Sequence, residues 1–250
     1  MVYIQSNDDQ TLPHHGDAAS ALYGAMDLGL DYKLLSYNNI KWDDNIEFYG
    51  GGKGPEFKIN SQIIKSNLFI GSTEFMSAVW KVIGKDPKLP MNTDRSHFNL
   101  TLGQVRKDIE QNMTWFVKPF QLKLFSGLIV DKYSISSLNE FDDNLVVMAY
   151  IPLPEILSEW RVYIHYNQMI DSKNYSGDFK ISPDYDWVES RIKLYKDKMP
   201  CAYTLDVGVL KDNTNTIIEF NDFWAIGNYG IPNDLYVRML RDRYFEIIRN

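Results

Sequence analysis

The segment at residues 159–166, EWRVYIHY, alternates apolar and polar side chains without a break, which predicts a β-strand. Its two faces differ sharply in chemistry: Trp160, Val162, Ile164 and Tyr166 lie on one, and Glu159, Arg161, Tyr163 and His165 on the other. Such a strand needs a core on its apolar side. Its polar side is either half solvated or lines a ligand site, and the alternation alone does not separate these two readings.

The residues after this strand predict a second strand beside it. Asn167 and Gln168 indicate a turn into residues 169–175. If Ile164 pairs with Ile170, the same register puts Arg161 opposite Lys173. Two neighbouring cations are unfavourable unless an anion lies between them, so this face is interpreted as a phosphate site.

A polar hairpin near the end of the chain offers oxygen ligands. Residues 203–210 and 216–222 read as strands joined by a polar loop. With a turn centred on residues 213–214, Asp206 lies opposite Asn221, and Glu219 shares their face. Oxygen ligands of this kind suit Mg²⁺, which prefers a few carboxylates plus phosphate oxygens and water. An exposed polar face is the alternative, although adjacent carboxylates repel each other unless a cation or hydrogen bonds compensate.

Two earlier segments end in prolines. In WFVKPF, residues 115–120, Lys118 ends an apolar strand and Pro119 is expected to stop the pairing; a surface lysine is the other reading. In NLVVMAYIPLP, residues 144–154, the backbone beyond Tyr150 is expected to leave the sheet with unpaired amide and carbonyl groups. Such groups can pair with the edge of an adenine, but a buried strand and a turn explain the segment equally well.

The first third alternates strands and helices, which predicts a small α/β layer. Helices are expected at residues 17–30, with Asp17 as the N-cap, and 72–83, with Ser72 as the cap, and a further helix follows at 102–111. The polar stretch at 86–94 contains two prolines and predicts a boundary between domains 1–92 and 93–250.

A glycine cluster, GGGKGP at residues 50–55, invites comparison with a phosphate-binding loop. That motif requires Gly-Lys followed by Ser or Thr at the start of a helix, whereas Pro55 and Glu56 follow here. A flexible or substrate-contacting loop is therefore favoured over a nucleotide cradle.

Charge and cysteine content exclude several classes of protein. A net charge of −7 argues against wrapping duplex DNA, and the single cysteine, Cys201, cannot form an internal disulfide or a multi-cysteine zinc site. No segment has the length of apolar sequence that a membrane span needs, and the N-terminus lacks an export signal. We therefore expect a soluble cytoplasmic protein in which any metal has oxygen ligands.

The order of these segments resembles the ATP-grasp superfamily, and most closely its compact members from phages and bacteria. A lysine at a strand end comes first, then an apolar hinge, an E-x-R strand, a further lysine, an Asp strand and a closing E-x-N strand. The resemblance runs from about residue 99 to the end of the chain. It implies an α/β fold, in which a small pre-domain precedes a two-lobed ATP-grasp domain that holds ATP and Mg²⁺.

The resemblance also implies a role for individual residues. Lys118 would contact the α- and β-phosphates, Glu155 or Glu159 the ribose, and Arg161 and Lys173 the γ-phosphate and an acyl phosphate. The remaining roles are an adenine-side hinge and a metal site: Val147, Met148, Ala149 and Tyr150 for the hinge, and Asp206, Glu219 and Asn221 for Mg²⁺. The family often has a glycine-rich loop over the phosphates; here FQLKLFS precedes a single Gly127, and Lys123 is the residue expected to share that task.

The implied reaction joins a carboxylate to an amine. ATP would phosphorylate the carboxylate of a small molecule or peptide, and the amine would displace phosphate to form an amide. A non-catalytic ATP-binding or structural protein of the same fold is the alternative. Relatives are often dimers, so a homodimer is among the expectations.

Overall fold

The computed structural model describes residues 1–7, 10–36, 41–43, 46–49, 56–89, 93, 95–120 and 124–250. The glycine cluster at residues 50–55 and Lys123 lie outside the described residues. The chain forms two compact units: unit 1 comprises Met1–Thr93, Leu157–Val209 and Asn213–Asn250, and unit 2 comprises Asp94–Ile156 and Leu210–Asp212. The domains 1–92 and 93–250 stay a prediction, because these units follow contacts rather than chain order.

Strands and helices alternate along the chain. The strands are β1 (Val2–Ser6), β2 (Tyr32–Ser36), β3 (Lys41–Asp43), β4 (Ile46–Tyr49), β5 (Glu56–Ile59), β6 (Leu68–Ile70), β7 (Phe98–Thr101), β8 (Trp115–Pro119), β9 (Leu128–Val130), β10 (Val146–Tyr150), β11 (Ile156–His165), β12 (Gln168–Gly177), β13 (Ala202–Leu210) and β14 (Asn215–Asp222). The helices are α1 (Gly16–Asp27), α2 (Ser61–Ser66), α3 (Thr73–Val82), α4 (Leu102–Glu110), α5 (Tyr185–Tyr195) and α6 (Asn233–Arg249), with a short 3₁₀ helix at Ile135–Leu138. This content confirms the predicted mixed α/β class.

The N-terminal part of unit 1 contains a parallel sheet in the order β2–β1–β6 and an antiparallel sheet in the order β3–β4–β5. Helices α1, α3 and α6 contribute to the core that covers β1 and β6. Ser72 caps α3 as predicted. The predicted cap of α1 is wrong: His15, not Asp17, accepts the first backbone N–H groups through Nδ1, because the helix begins one residue earlier.

The remaining sheet of unit 1 has the order β12–β11–β13–β14 and is buried on both faces. On one face Val162 and Ile164 pack against α5; on the other Tyr163 joins the core formed with α6. The half-solvated reading of β11 is therefore wrong, since Arg161 is only 7% exposed. Tyr166 does not share the core face either. It turns the chain with a φ of +48°, followed by Asn167 at +61°, and lies exposed.

The predicted pairing of β11 with β12 is correct at Arg161 and wrong at the turn. Arg161 lies opposite Lys173, but Ile164 lies opposite Met169 rather than Ile170. A bulge between these two points absorbs the extra residue of β12, so the register counted from the turn shifts by one.

The register of the β13–β14 hairpin also differs from the prediction. Asp206 lies opposite Glu219, and Asn221 lies opposite Thr204. The turn is centred nearer to Asp212, with Asn213 in a left-handed conformation, and a bulge after Asp206 shifts the pairing again. The predicted common face survives, because a register change of two residues keeps the same side chains on each face.

Unit 2 is built on an antiparallel sheet in the order β7–β10–β8–β9, with α4 packed on one face. Pro119 does not stop the pairing as predicted: it lies opposite Val147, and the amide of Phe120 still donates to Val146. The missing N–H of Pro119 points to the side where β9 has already ended, so no ladder hydrogen bond is lost.

Within the described residues, no helix combines the length and apolar character needed to cross a membrane.

Candidate functional site

A buried ion pair lies at the centre of the polar face of the second sheet of unit 1. Arg161 on β11 donates from Nε to Oδ1 of Asp206 at 2.8 Å and from Nη2 to Oδ2 at 2.7 Å. Asp206 comes from the neighbouring strand β13, and its side chain is 2% exposed. This two-pronged arrangement fixes the plane of the guanidinium. Among the described residues, nothing accepts a hydrogen bond from its third nitrogen, Nη1.

Two further oxygen ligands complete the patch predicted from the hairpin. The amide nitrogen of Asn221 lies between two carboxylates, 3.2 Å from Oδ2 of Asp206 and 3.3 Å from Oε1 of Glu219. The sequence therefore predicted correctly that these three side chains converge, although it paired them through the wrong register.

Negative charge accumulates around this patch. Burial raises the pKa of Asp206, the two bonds from Arg161 lower it, and the charges of Glu219 and Glu159 raise it again, so the pKa lies above its ordinary value. Burial alone lowers the pKa of Arg161, but its bonds to Asp206 outweigh that effect and the pKa lies above its usual range. The guanidinium is thus permanently charged and faces an excess of carboxylates.

The donor set fits a magnesium ion. Mg²⁺ binds through one or two carboxylates together with phosphate oxygens and water. Asp206 and Glu219 supply the carboxylates, and the amide of Asn221 now bridges them with its electropositive end, the position that a cation would take. Among the described residues, no group of three or more His, Cys, Asp or Glu side chains is placed to bind a metal ion. The ligand set is therefore two carboxylates and an amide, with the remaining positions left to phosphate and water.

The interpretation of Arg161 and Lys173 as two cations in need of a phosphate is wrong in one step. Each cation already has a carboxylate from the protein: Asp206 for Arg161, and Asp171, at 3.0 Å, for Lys173. The sequence argument assumed that no such anion was close by. Repulsion between the two cations therefore no longer supports a phosphate site, and the open Nη1 edge of Arg161 becomes the better argument.

The two alternatives for the ribose contact have different surroundings. Glu159 belongs to the cluster in unit 1, where it accepts a hydrogen bond of 2.8 Å from the hydroxyl of Tyr175. Glu155 lies in unit 2 and pairs with Lys211 at 2.7 Å, with both side chains largely exposed. Neither observation decides between them.

Two tyrosines border the guanidinium, and the sequence analysis missed both. The ring centre of Tyr229 lies 4.6 Å from Cζ of Arg161, and that of Tyr175 lies 5.7 Å away. Tyr229 follows Asn228, whose amide donates to Asp17 on α1. The one available signal was the Asn-Tyr-Gly tripeptide at residues 228–230, which marks a tight turn but not what it faces.

In unit 2, the sheet face opposite α4 combines apolar side chains with cations. Lys118 lies opposite Met148, and its Nζ is 5.7 Å from the ring centre of Phe116. Tyr150 lies on the same face, with Cζ of Arg95 5.1 Å from its ring centre. A flat apolar surface with nearby cations suits a nucleotide base and its phosphates.

The predicted hinge residues of β10 divide between the two faces of this sheet. Val147 and Ala149 are fully buried against α4, whereas Met148 and Tyr150 face the other way. The chain leaves the sheet after Tyr150 as predicted. The carbonyl of Ile151 is not unpaired as expected, because Arg95 donates to it at 2.8 Å.

The single Gly127 lies close to Lys118. A Cβ at this position would come within 2.6 Å of the Phe116 ring and 2.9 Å of Cγ of Lys118. Only a residue without a side chain allows this approach.

The order of the strands, the polar sheet face and the open sheet face together define an ATP-grasp protein. The family model that describes an ATP-grasp domain, the second family of its clade, matches residues 93–239, more than half of the chain. The chain therefore belongs to this family. Membership confirms the predicted ATP-grasp fold and the enzyme class, an ATP-dependent ligase.

Solved structures share the fold over nearly the whole chain. The D-cycloserine synthetase DcsG has a TM-score of 0.56 at 10% identity, with 99% of this chain and 100% of that chain covered. A RimK domain ATP-grasp protein from Sphaerobacter thermophilus has 0.56 at 8% identity, covering 99% and 98%. The ATP-grasp ligase PsnB, complexed with a minimal precursor, Mg and ADP, has 0.52 at 12% identity, covering 97% and 96%.

No curated protein matches the sequence. The homodimer and the cytoplasmic location are untested by these likenesses, and both stay predictions.

Proposed function

We propose that the protein is an ATP- and Mg²⁺-dependent carboxylate–amine ligase that forms an amide bond through an acyl phosphate. One observation carries the proposal: in a member of the ATP-grasp family, a buried guanidinium keeps one edge open beside a patch of oxygen ligands. Such a pair of features combines an anion site with a cation site, which is what phosphoryl transfer from Mg·ATP requires.

Arg161 is the proposed contact for the transferring phosphoryl group. Asp206 holds its Nε and Nη2 edge, so Nη1 keeps a fixed direction toward an incoming anion. Lys173 on the neighbouring strand adds a second positive charge, which Asp171 orients. These preorganised charges would stabilise the transferring group and then the acyl phosphate, with no need for a nucleophilic side chain.

Asp206, Glu219 and Asn221 would hold Mg²⁺, which supplies charge neutralisation at the phosphate oxygens. Lys118 would bind the α- and β-phosphates, and residues 147–150 would contact the adenine. Glu155 and Glu159 stay alternatives for the ribose, and Lys123 stays a proposed phosphate contact. Cys201 has no part in this scheme, since burial raises the pKa of its thiol to about 12.

The substrates are a carboxylate, on a small molecule or a peptide, and an amine. Support for both substrate sizes comes from the neighbours, because PsnB was complexed with a precursor and DcsG is named a D-cycloserine synthetase. The loop at residues 226–231, which contacts the N-terminal helix α1 through Asp17, is the proposed site of substrate choice.

The proposal is tested by measuring ADP release with Mg²⁺ and ATP against pools of amino acids and short peptides. We expect at least one pool to stimulate ADP release and to yield an amide product by mass spectrometry. Glu219→Gln should lower the affinity for Mg²⁺ about 10- to 100-fold, since it removes a charged ligand. Glu189→Gln is the matched control, because Glu189 pairs with Lys193 on the surface of α5.

Two results would contradict the proposal in different ways. Nucleotide binding without stimulated ADP release in any pool would favour the non-catalytic alternative. Equal Mg²⁺ affinity in Glu219→Gln and Glu189→Gln would overturn the assigned metal site.

A further inference from the structure

Tyr229 adopts a backbone conformation that tyrosine rarely takes. Its φ is +44°, and Gly230 follows with a φ of +98°. A bulky residue in the left-handed region is strained, and such strain persists where the surrounding structure holds the residue in place for a purpose. Here it brings the ring of Tyr229 to 4.6 Å from Cζ of Arg161.

Tyr175 reaches the same guanidinium through a different backbone irregularity. It is the extra residue of a bulge in β12, because Glu159 lies opposite Ser176 and Trp160 lies opposite Asn174. The side-chain amide of Asn174 donates to the carbonyls of Glu159 and Ser176 and so holds the bulge. Bulges of this kind redirect side chains next to functional sites.

The two rings form a corner around the guanidinium. Their centres are 5.6 Å apart with the planes tilted by 34°, and the hydroxyl of Tyr175 is anchored on Glu159. Tyr175 therefore braces Tyr229, and Tyr229 covers Arg161. An aromatic face attracts a guanidinium, and more strongly where water is excluded.

We propose that Tyr229, braced by Tyr175, is a positioning residue that holds Arg161 so that its Nη1 edge meets the γ-phosphoryl group. Asp206 fixes one edge of the guanidinium, and the tyrosine corner prevents rotation away from the second. This inference rests on the proposed function, since it assigns the free edge of Arg161 to the terminal phosphate.

The test compares the dissociation constants of Mg·AMPPNP and Mg·ADP by calorimetry on the full chain. AMPPNP carries the γ-phosphoryl group and ADP does not, so their ratio isolates contacts to that group. We expect the wild type to favour AMPPNP about tenfold or more, as a charge-assisted hydrogen bond does, and Arg161→Ala to lose this preference.

The tyrosine variants then separate position from packing. Tyr229→Leu should reduce the preference about three- to tenfold while ADP affinity stays within about twofold, and Tyr229→Phe should restore it because the ring remains. Tyr23→Leu is the matched control: Tyr23 is 57% exposed and Tyr229 54%, and both lie in unit 1. Thermal melts verify that each variant is folded. Tyr229→Leu decides the test if Tyr175→Leu is unfolded.

The outcomes distinguish this inference from the proposed function. If Arg161→Ala loses the preference and Tyr229→Leu keeps it, the positioning role is overturned and the proposed function stands. A parallel loss of ADP and AMPPNP affinity in Tyr229→Leu also overturns it, because that pattern indicates general disruption. If the wild type shows no preference, both the assignment of Arg161 and the inference fail.

Discussion

Two arginine–aspartate pairs lie on opposite faces of the same hairpin, and they differ in what they leave open. Arg161 pairs with Asp206, and Arg243 on α6 pairs with Asp222 through bonds of 2.6 Å from Nε and Nη2. Both arginine side chains are less than a tenth exposed. Arg243 also donates from Nη1 to Glu246 at 2.8 Å, so each of its nitrogens has a partner.

This difference separates a structural pair from one that can act on a ligand. Arg243 is closed by protein on every side, and Glu246 extends the network to the amide of Cys201. Arg161 has the same bidentate partner, but no residue in the described part of the chain accepts from its third nitrogen, and carboxylates and tyrosines surround it. Burial and geometry alone therefore do not identify a functional arginine; the unused donor does.

The largest effect should follow from Arg161→Lys. Lysine keeps the charge but lacks the planar fork, so it cannot hold Asp206 and a phosphoryl group at once. We expect the rate of ADP formation to fall about 10²- to 10³-fold, the usual loss for one preorganised charge contact. Arg243→Lys, measured in the same steady-state assay, should keep the rate within about fivefold in the folded fraction. A similar loss of rate in both variants would erase the distinction.

A second contrast concerns stability. Asp222→Asn leaves the buried Arg243 with one carboxylate instead of two, and we expect the free energy of unfolding to fall by about 3 kcal/mol. Asp206→Asn should cost less than half of that, because it also relieves repulsion from Glu219 and Glu159. Urea unfolding at neutral pH measures both values. Equal costs would mean that the open pair is as structural as the closed one.

The smallest effect is expected at a strained turn on the face of the closed pair. Tyr166 and Asn167 both have positive φ, a conformation that asparagine adopts more readily than tyrosine. Tyr166→Asn should therefore raise the free energy of unfolding by about 0.5 kcal/mol, and nucleotide affinity should not change. A loss of AMPPNP preference in this variant would show that the two faces are coupled.

The sequence predicted the elements and the face of the site better than their partners. Alternation alone placed Arg161, Lys173, Asp206, Glu219 and Asn221 on polar faces, and the order of motifs led to the correct family. The bond between Arg161 and Asp206 was missed because it joins strands far apart in the chain, whose neighbourhood no local pattern encodes. The bulges at Ile170 and Tyr175 have no sequence signature either, so registers counted from turns drifted by one or two residues.

The most direct test of the ligase mechanism follows oxygen. The protein is incubated with ATP, Mg²⁺ and a pool of amino acids and peptides whose carboxylates carry ¹⁸O, and the released phosphate is analysed by mass spectrometry. An acyl phosphate predicts ADP together with phosphate that contains one ¹⁸O atom per turnover, because the carboxylate oxygen leaves with the phosphoryl group. Release of AMP and pyrophosphate, or of phosphate without the label, would contradict it.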